Sequence, residues 1–154
     1  MPSVYTSMTA RGHIVVKTCS AISLSGGQGK TTTIFFTALL LAQQGKKVLA
    51  VDADPQANLT FYLNHDVQAD EPSLFEVLTR EVKVEDGIYE TQYKNLFIIP
   101  ADTGLFKVAD RLSSSGAGAF ALKRCLKDVS DLFDYVLIDV QPSRSQVSLT
   151  AAGA

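Results

Sequence analysis

Two kinds of apolar pattern alternate along this chain. Short runs that are apolar at nearly every position predict strands, and longer runs with apolar residues three and four apart predict helices. "IVVKTCSAISL" (14–24) is β-branched and apolar and ends in a Ser/Gly turn. "KTTTIFFTALLLAQQ" (30–44) is long enough for a helix, and Gly45 is well placed to end it. "KVLAVDAD" (47–54) is a second apolar run with acids at its C-terminal end. "SLFEVLTR" (73–80) opens with a Ser N-cap and carries Glu76 three residues later, a capping box. "NLFIIPA" (95–101) predicts a strand, after which Asp102 or Thr103 caps a short helix toward Leu112. "SSSGAGAF" (113–120) predicts a flexible loop. "FALKRCLKDV" (120–129) places Leu122, Cys125, Leu126 and Val129 at helical spacing, and "DYVLIDVQPS" (134–143) is a further apolar strand containing an acid.

Strands that are apolar on both faces and alternate with helices imply an α/β fold, a mostly parallel sheet flanked by helices. Such sheets bind ligands beyond the carboxyl ends of their strands. Gly26, Asp52, Asp54 and Asp139 all fall at such ends. Three segments distant in sequence are therefore expected to meet on one edge.

Composition narrows the picture. At 154 residues the chain is about one domain long. A hydrophobic content of 46% with 19% charged residues suits a globular domain with a core of its own. The net charge of −2 gives no global signature of nucleic-acid binding, although a local patch would suffice. Cys19 and Cys125 lie far apart without a metal-ligand pattern and read as reduced, structural thiols of a cytosolic protein. No apolar run approaches the roughly 20 residues that span a membrane. Residues 1–12 lack the apolar centre of a signal peptide and read as a flexible tail, leaving 13–154 as the domain.

The chemistry concentrates in "SLSGGQGKTTT" (23–33). Gly26, Gly27 and Gly29 let the backbone take dihedrals closed to other residues and approach an anion. The helix behind them presents unpaired N–H groups and the positive end of its dipole. Lys30 supplies a charge for the β- and γ-phosphates, and Thr31 a hydroxyl for Mg²⁺. The general pattern G-x-x-x-x-G-K-[ST] needs glycine where this chain has Leu24, so the loop is a deviant form. A glycine turn before an ordinary helix is the bland alternative; the preceding strand and the later acidic strand ends weigh against it.

"SGGQGKTTT", "VDADPQANLT" and "DYVLIDVQPS" together resemble the deviant Walker A, Walker A′ and Walker B segments of the ParA/MinD family of P-loop ATPases, in that order. The resemblance runs from about residue 13 onward. It implies a P-loop NTPase fold and a cytosolic ATPase that forms a homodimer around two ATP molecules. It also implies binding to a surface such as nonspecific nucleoid DNA, and switching by a partner protein. By the same resemblance Gly26, Gly27, Gln28, Gly29, Lys30, Thr31 and Thr32 form the nucleotide loop. Asp54 positions the attacking water, and Thr31, Asp52 and Asp139 lie at Mg²⁺. Each Asp also has a plain alternative as a turn former or helix cap. "DPQAN" doubles as a turn that starts a helix, with Pro55 in its first turn.

Two departures stand out. The family's usual loop carries a lysine that reaches the partner's ATP; here that position is Ser25. Such a loop resembles the McdA-type subgroup, which positions carboxysomes and in which a later lysine is thought to stand in. After Asp139 this chain has Arg144 as its one cation, which either touches nucleotide or is solvated. The segment "SLTAAGA" looks like the start of a helix that the family follows with further strands and helices, so the C-terminal part of the family domain is expected to be missing. Lys123, Arg124 and Lys127 form a small basic cluster, either a solvated face or a local attraction for phosphate backbones. Three readings follow: a Mg²⁺-ATP-dependent carboxysome-positioning ATPase with an McdB-like partner, a plasmid or chromosome partition ATPase with a ParB-like partner, or a non-catalytic nucleotide-binding scaffold. No terminal amphipathic helix suggests a membrane-bound relative.

Overall fold

The computed structural model describes residues 17–21, 29–108 and 121–140, with 17–21 described as backbone. Expectations for the tail, for Ser25, Gly26, Gly27 and Gln28, for the loop at 113–120 and for Arg144 lie outside the described residues.

Five strands form one sheet in the order β1-β5-β2-β4-β3: β1 (Lys17–Ala21), β2 (Val48–Ala53), β3 (Tyr89–Glu90), β4 (Leu96–Ile99) and β5 (Tyr135–Val140). Every pairing is parallel except the edge pair β3–β4. The helices are α1 (Lys30–Gln43), α2 (Asn58–Tyr62), α3 (Leu74–Thr79) and α4 (Ala121–Lys127), with a further helical stretch at 105–108. The expected mostly parallel, helix-flanked sheet is what the chain forms.

The continuous apolar runs become strands buried on both sides. All six residues of β2 are buried, and all four of β4. Period-two alternation sorts them. Leu49, Val51, Phe97, Ile99, Val136 and Ile138 point toward α3 and α4. Val48, Ala50, Leu96, Ile98 and Leu137 point toward Ile34, Ala38 and Ala42 of α1 and Leu59 of α2. α4 turns Leu122, Leu126 and the following Val129 into the first of these layers, with Cys125 half-buried, as its spacing predicts.

Local signals fix the helix ends. Gly45, at φ 80°, ends α1: its N–H donates to Ala42 O (3.0 Å) and the Lys46 N–H to Leu41 O (3.1 Å), the double bond of a Schellman motif. The capping box at α3 is complete, with the Phe75 N–H donating to Ser73 Oγ and the Ser73 N–H to Glu76 Oε2. Asp102, one of the two expected caps, accepts from the Gly104 N–H at 2.8 Å. "DPQAN" behaves differently from expectation. Pro55 sits in a turn that precedes α2, and the helix starts only at Asn58, behind Ala57 in the left-handed region at φ 54°. The Ala57 N–H closes that turn on Asp54 O at 2.8 Å.

Candidate functional site

The alternation that builds the core also aims the acids. Val48 and Ala50 face α1 and α2, so Asp52, two residues on, faces the same way; Leu137 sends Asp139 there likewise. Asp52 and Asp139 are register partners on adjacent strands, and β1 ends at Ala21, the register partner of Asp139 on its other side. Two carboxylates therefore stand side by side at the carboxyl edge of the sheet, beneath the start of α1.

That start is built to be left open. Gly29 precedes α1 at φ 69°, and none of the described residues lies within 4 Å of where a Cβ would sit. Backbone angle, not crowding, is what calls for glycine there. No side chain caps α1 and no acid lies in its first turn. Thr33 turns back into the helix, its N–H and its hydroxyl both donating to Gly29 O at 2.8 Å. Lys30 and Thr31 occupy the first turn, half-buried, with Thr32 exposed beside them.

Asp139 is 1% exposed, and among the described residues none donates a well-aligned hydrogen bond to either carboxylate oxygen. Burial pushes its pKa above the ordinary carboxylate value; the nearby Thr31 hydroxyl and the Lys30 charge oppose that rise, and the Asp54 charge adds to it. The structure thus brings Lys30, Thr31, Asp54 and Asp139 into one electrostatic neighbourhood. A buried carboxylate without donors is costly unless a cation reaches it.

Asp52, expected at the metal, has a different environment. It is fully buried, and both oxygens are occupied: Oδ1 accepts from the Asp54 N–H (3.1 Å), Oδ2 from the Thr60 N–H (2.8 Å) and the Thr60 hydroxyl (2.7 Å). Burial pushes its pKa up to about 7, opposed by the Thr60 and Asp54 hydrogen bonds and assisted by the Asp139 charge. Asp54 is 7% exposed; its Oδ1 accepts from the Gln56 N–H at 2.9 Å. Thr60 is the residue that sequence reasoning passed over. It closes the quoted motif "VDADPQANLT", but its eight-residue offset from Asp52 has no helical or strand period to advertise it.

Among the described residues no three histidine, cysteine or acidic side chains converge to cage a metal. Mg²⁺ does not need such a cage, because phosphate oxygens and water complete its shell around one or two protein ligands. The Thr31 hydroxyl and the buried Asp139 carboxylate beside it fit that role. Among the described residues no helix is long and apolar enough to cross a membrane.

A mostly parallel sheet whose acidic strand ends face an uncapped, lysine-bearing helix start defines a P-loop NTPase. Residues 16–153 match the AAA domain family, and the chain belongs to that family, in its ParA/MinD-like branch. The Maintenance of carboxysome distribution protein A of Gloeothece citriformis is 49% identical over 139 residues, covering 90% of this chain and 54% of that protein. The chromosome partitioning protein ParA of Caulobacter vibrioides is 34% identical over 131 residues, covering 84% of this chain and 49% of that protein. Among solved structures, the ATP complex of an aspartate-to-alanine variant of Cyanothece McdA superposes with a TM-score of 0.86 at 47% identity, over 90% of this chain and 53% of that one. The chain spans about half the length of the relatives it matches.

Proposed function

We propose that this chain carries the nucleotide site of a ParA-type positioning ATPase of the McdA kind. The observation that carries the reading is the buried Asp139 carboxylate beneath the start of α1, with the Thr31 hydroxyl and the Lys30 charge beside it and no well-aligned hydrogen bond to it from the described residues. A triphosphate with its cation suits that arrangement: its oxygens would accept from the helix N–H groups and meet the Lys30 charge, and the cation would face Asp139. Mg²⁺, when bound, would neutralise charge on the phosphates. Lys30 adds charge at the phosphates, Thr31 and Asp139 hold the metal, and Asp54 orients the water for in-line attack. Gly26, Gly27, Gln28, Gly29 and Thr32 complete the loop.

Carboxysome distribution as the task rests on the higher identity to the carboxysome protein than to ParA, 49% against 34%. In this reading ATP drives homodimerisation, the dimer holds nucleoid DNA in the cytoplasm, and an McdB-like partner triggers release. The ParA likeness favours a second reading, partition of a plasmid or chromosome with a ParB-like partner, which shares the chemistry and differs in cargo.

ATP binding and phosphate release test the site. Lys30→Ala lowers ATP affinity by about 100-fold or more, since a charge at the phosphates is lost. Asp54→Ala leaves affinity within about two-fold and lowers turnover by about 100-fold. An Asp54→Ala variant with unchanged phosphate release would remove Asp54 from its role. A wild-type chain that binds ATP without releasing phosphate would make it a scaffold.

A further inference from the structure

Between Asp52 and Thr60 lies the whole of the segment that presents Asp54. Both ends of that segment are tied to one carboxylate: the Asp54 N–H to Asp52 Oδ1, and the Thr60 N–H to Asp52 Oδ2. The loop between them holds Ala57 at φ 54°, a left-handed conformation that costs a non-glycine residue about 1 kcal/mol and persists only where the surroundings impose it. The Thr60 hydroxyl does two things at once. It donates to Asp52 Oδ2 at 2.7 Å and accepts from the Ala101 N–H at 3.0 Å. Ala101 follows β4, so one buried hydroxyl joins the end of β2, the middle of α2 and the exit of β4. Thr60 itself is 4% exposed, and water has little access to replace these bonds.

We propose that Thr60 is a positioning residue for Asp54, its hydroxyl bridging the Asp52 carboxylate to the Ala101 amide, and that Asp52 anchors this clasp and is not a metal ligand. The proposal rests on the ATPase reading for its consequence and on the geometry of the clasp for its existence. Three buried donors already close on Asp52, one on Oδ1 and two on Oδ2, so turning the carboxylate toward a metal would strand them. A water-positioning acid is sensitive to displacement, because a shift of about 1 Å can cost about 100-fold in rate. A clasp of this kind leaves substrate affinity alone and acts on turnover.

The test uses the full chain with Thr60→Val, Thr60→Ser and Asp52→Asn. Thr60→Val keeps the shape and removes both hydroxyl bonds; kcat falls about 10-fold while KM and the Kd for Mg-ATP stay within about two-fold. Thr60→Ser, which keeps the bridge, restores turnover. Asp52→Asn turns an amide donor against the Thr60 or the Asp54 N–H, so it gives a similar loss should Thr60→Val fold poorly. Half-saturating Mg²⁺ for ATP binding does not change in Asp52→Asn. In the nucleotide-free chain, amide exchange at Asp54, Gln56 and Ala57 speeds up about 10-fold in Thr60→Val and stays constant in α4. Wild-type kcat with wild-type exchange in Thr60→Val overturns the proposal, as does a serine variant that fails to restore turnover. A roughly tenfold higher Mg²⁺ requirement in Asp52→Asn returns Asp52 to the metal. If the wild type releases no phosphate, the ATPase reading fails, and the exchange and Mg²⁺ measurements still decide the clasp.

Discussion

Asp52 and Asp139 occupy nearly the same address and live opposite lives. They are register partners on adjacent parallel strands, both buried, both facing α1 and α2. Asp52 accepts from three donors of its own chain, while among the described residues none is well aligned on Asp139, beside which the Thr31 hydroxyl lies. The helix starts repeat the contrast. α3 is sealed by a reciprocal capping box, whereas α1 opens behind a left-handed glycine with no cap and no acid in its first turn. A folded chain tends to satisfy its buried polar groups. In the proposed reading, the carboxylate and the helix end that the described residues leave least satisfied, and that lie next to each other, mark where the nucleotide belongs, and the well-bonded pair marks the frame that holds it.

Alanine substitution at the two carboxylates breaks this comparison most severely. Asp52→Ala leaves the buried Asp54 and Thr60 N–H groups and the Thr60 hydroxyl without their acceptor. The expected cost is about 3 kcal/mol, or about 10 °C in Tm for a chain of this size, read by thermal unfolding without nucleotide. Asp139→Asn moves the other way. It removes a buried charge whose burial the Thr31 hydroxyl and the Lys30 charge only partly offset, and Tm of the nucleotide-free chain rises by about 3 °C. The same variant weakens Mg²⁺-dependent ATP binding by about 10-fold. Equal losses of stability at both positions would mean that Asp139 has a partner in the folded chain, and the contrast would fall.

The sequence carries the frame of this site better than its wiring. Apolar runs with acids at their ends were enough to place Asp52, Asp54 and Asp139 at the carboxyl edge, because strand burial on both faces and period-two alternation are local properties. The capping box at Ser73 and the stop at Gly45 were equally legible, each set by residues within a few positions. The hydrogen bonding of Asp52 was not. Which of two neighbouring acids is saturated depends on Thr60 reaching back across a turn, and on the Ala101 amide coming from another strand. The late start of α2 was hidden for a related reason: Pro55 suits a helix's first turn, yet Ala57 is driven left-handed by a loop tied at both ends to Asp52. Distant hydrogen bonds overrode the local preference.

His65 supplies the smallest and sharpest check on how far an unsatisfied atom can be taken as a sign of ligand. Its Nε2 is buried without a hydrogen bond, 3.7 Å from Glu71 Oε2, and its ring lies 4.8 Å from that of Tyr89. It faces no open helix start and stands next to no second orphan, so by the logic of the carboxylate pair it marks no site. Its consequence is a pH dependence alone. Burial lowers the His65 pKa in the folded chain, with Glu71 and then Asp66 opposing. As pH falls, the unfolded chain therefore takes up this proton first, through its ordinary value of 6.5. The stability that neutral His65 contributes is fully present above that pH and is lost as pH falls toward the folded-state value. Between pH 7.5 and pH 5.5 the wild type is expected to lose about 1 or 2 °C more in Tm than His65→Gln, with ATP affinity at neutral pH equal in the two. A steeper acid loss in the glutamine variant would show the ion pair with Glu71 outweighing burial. A loss of ATP affinity in that variant would mean that solitary orphans also report ligands, and that Asp139 had been singled out for the wrong reason.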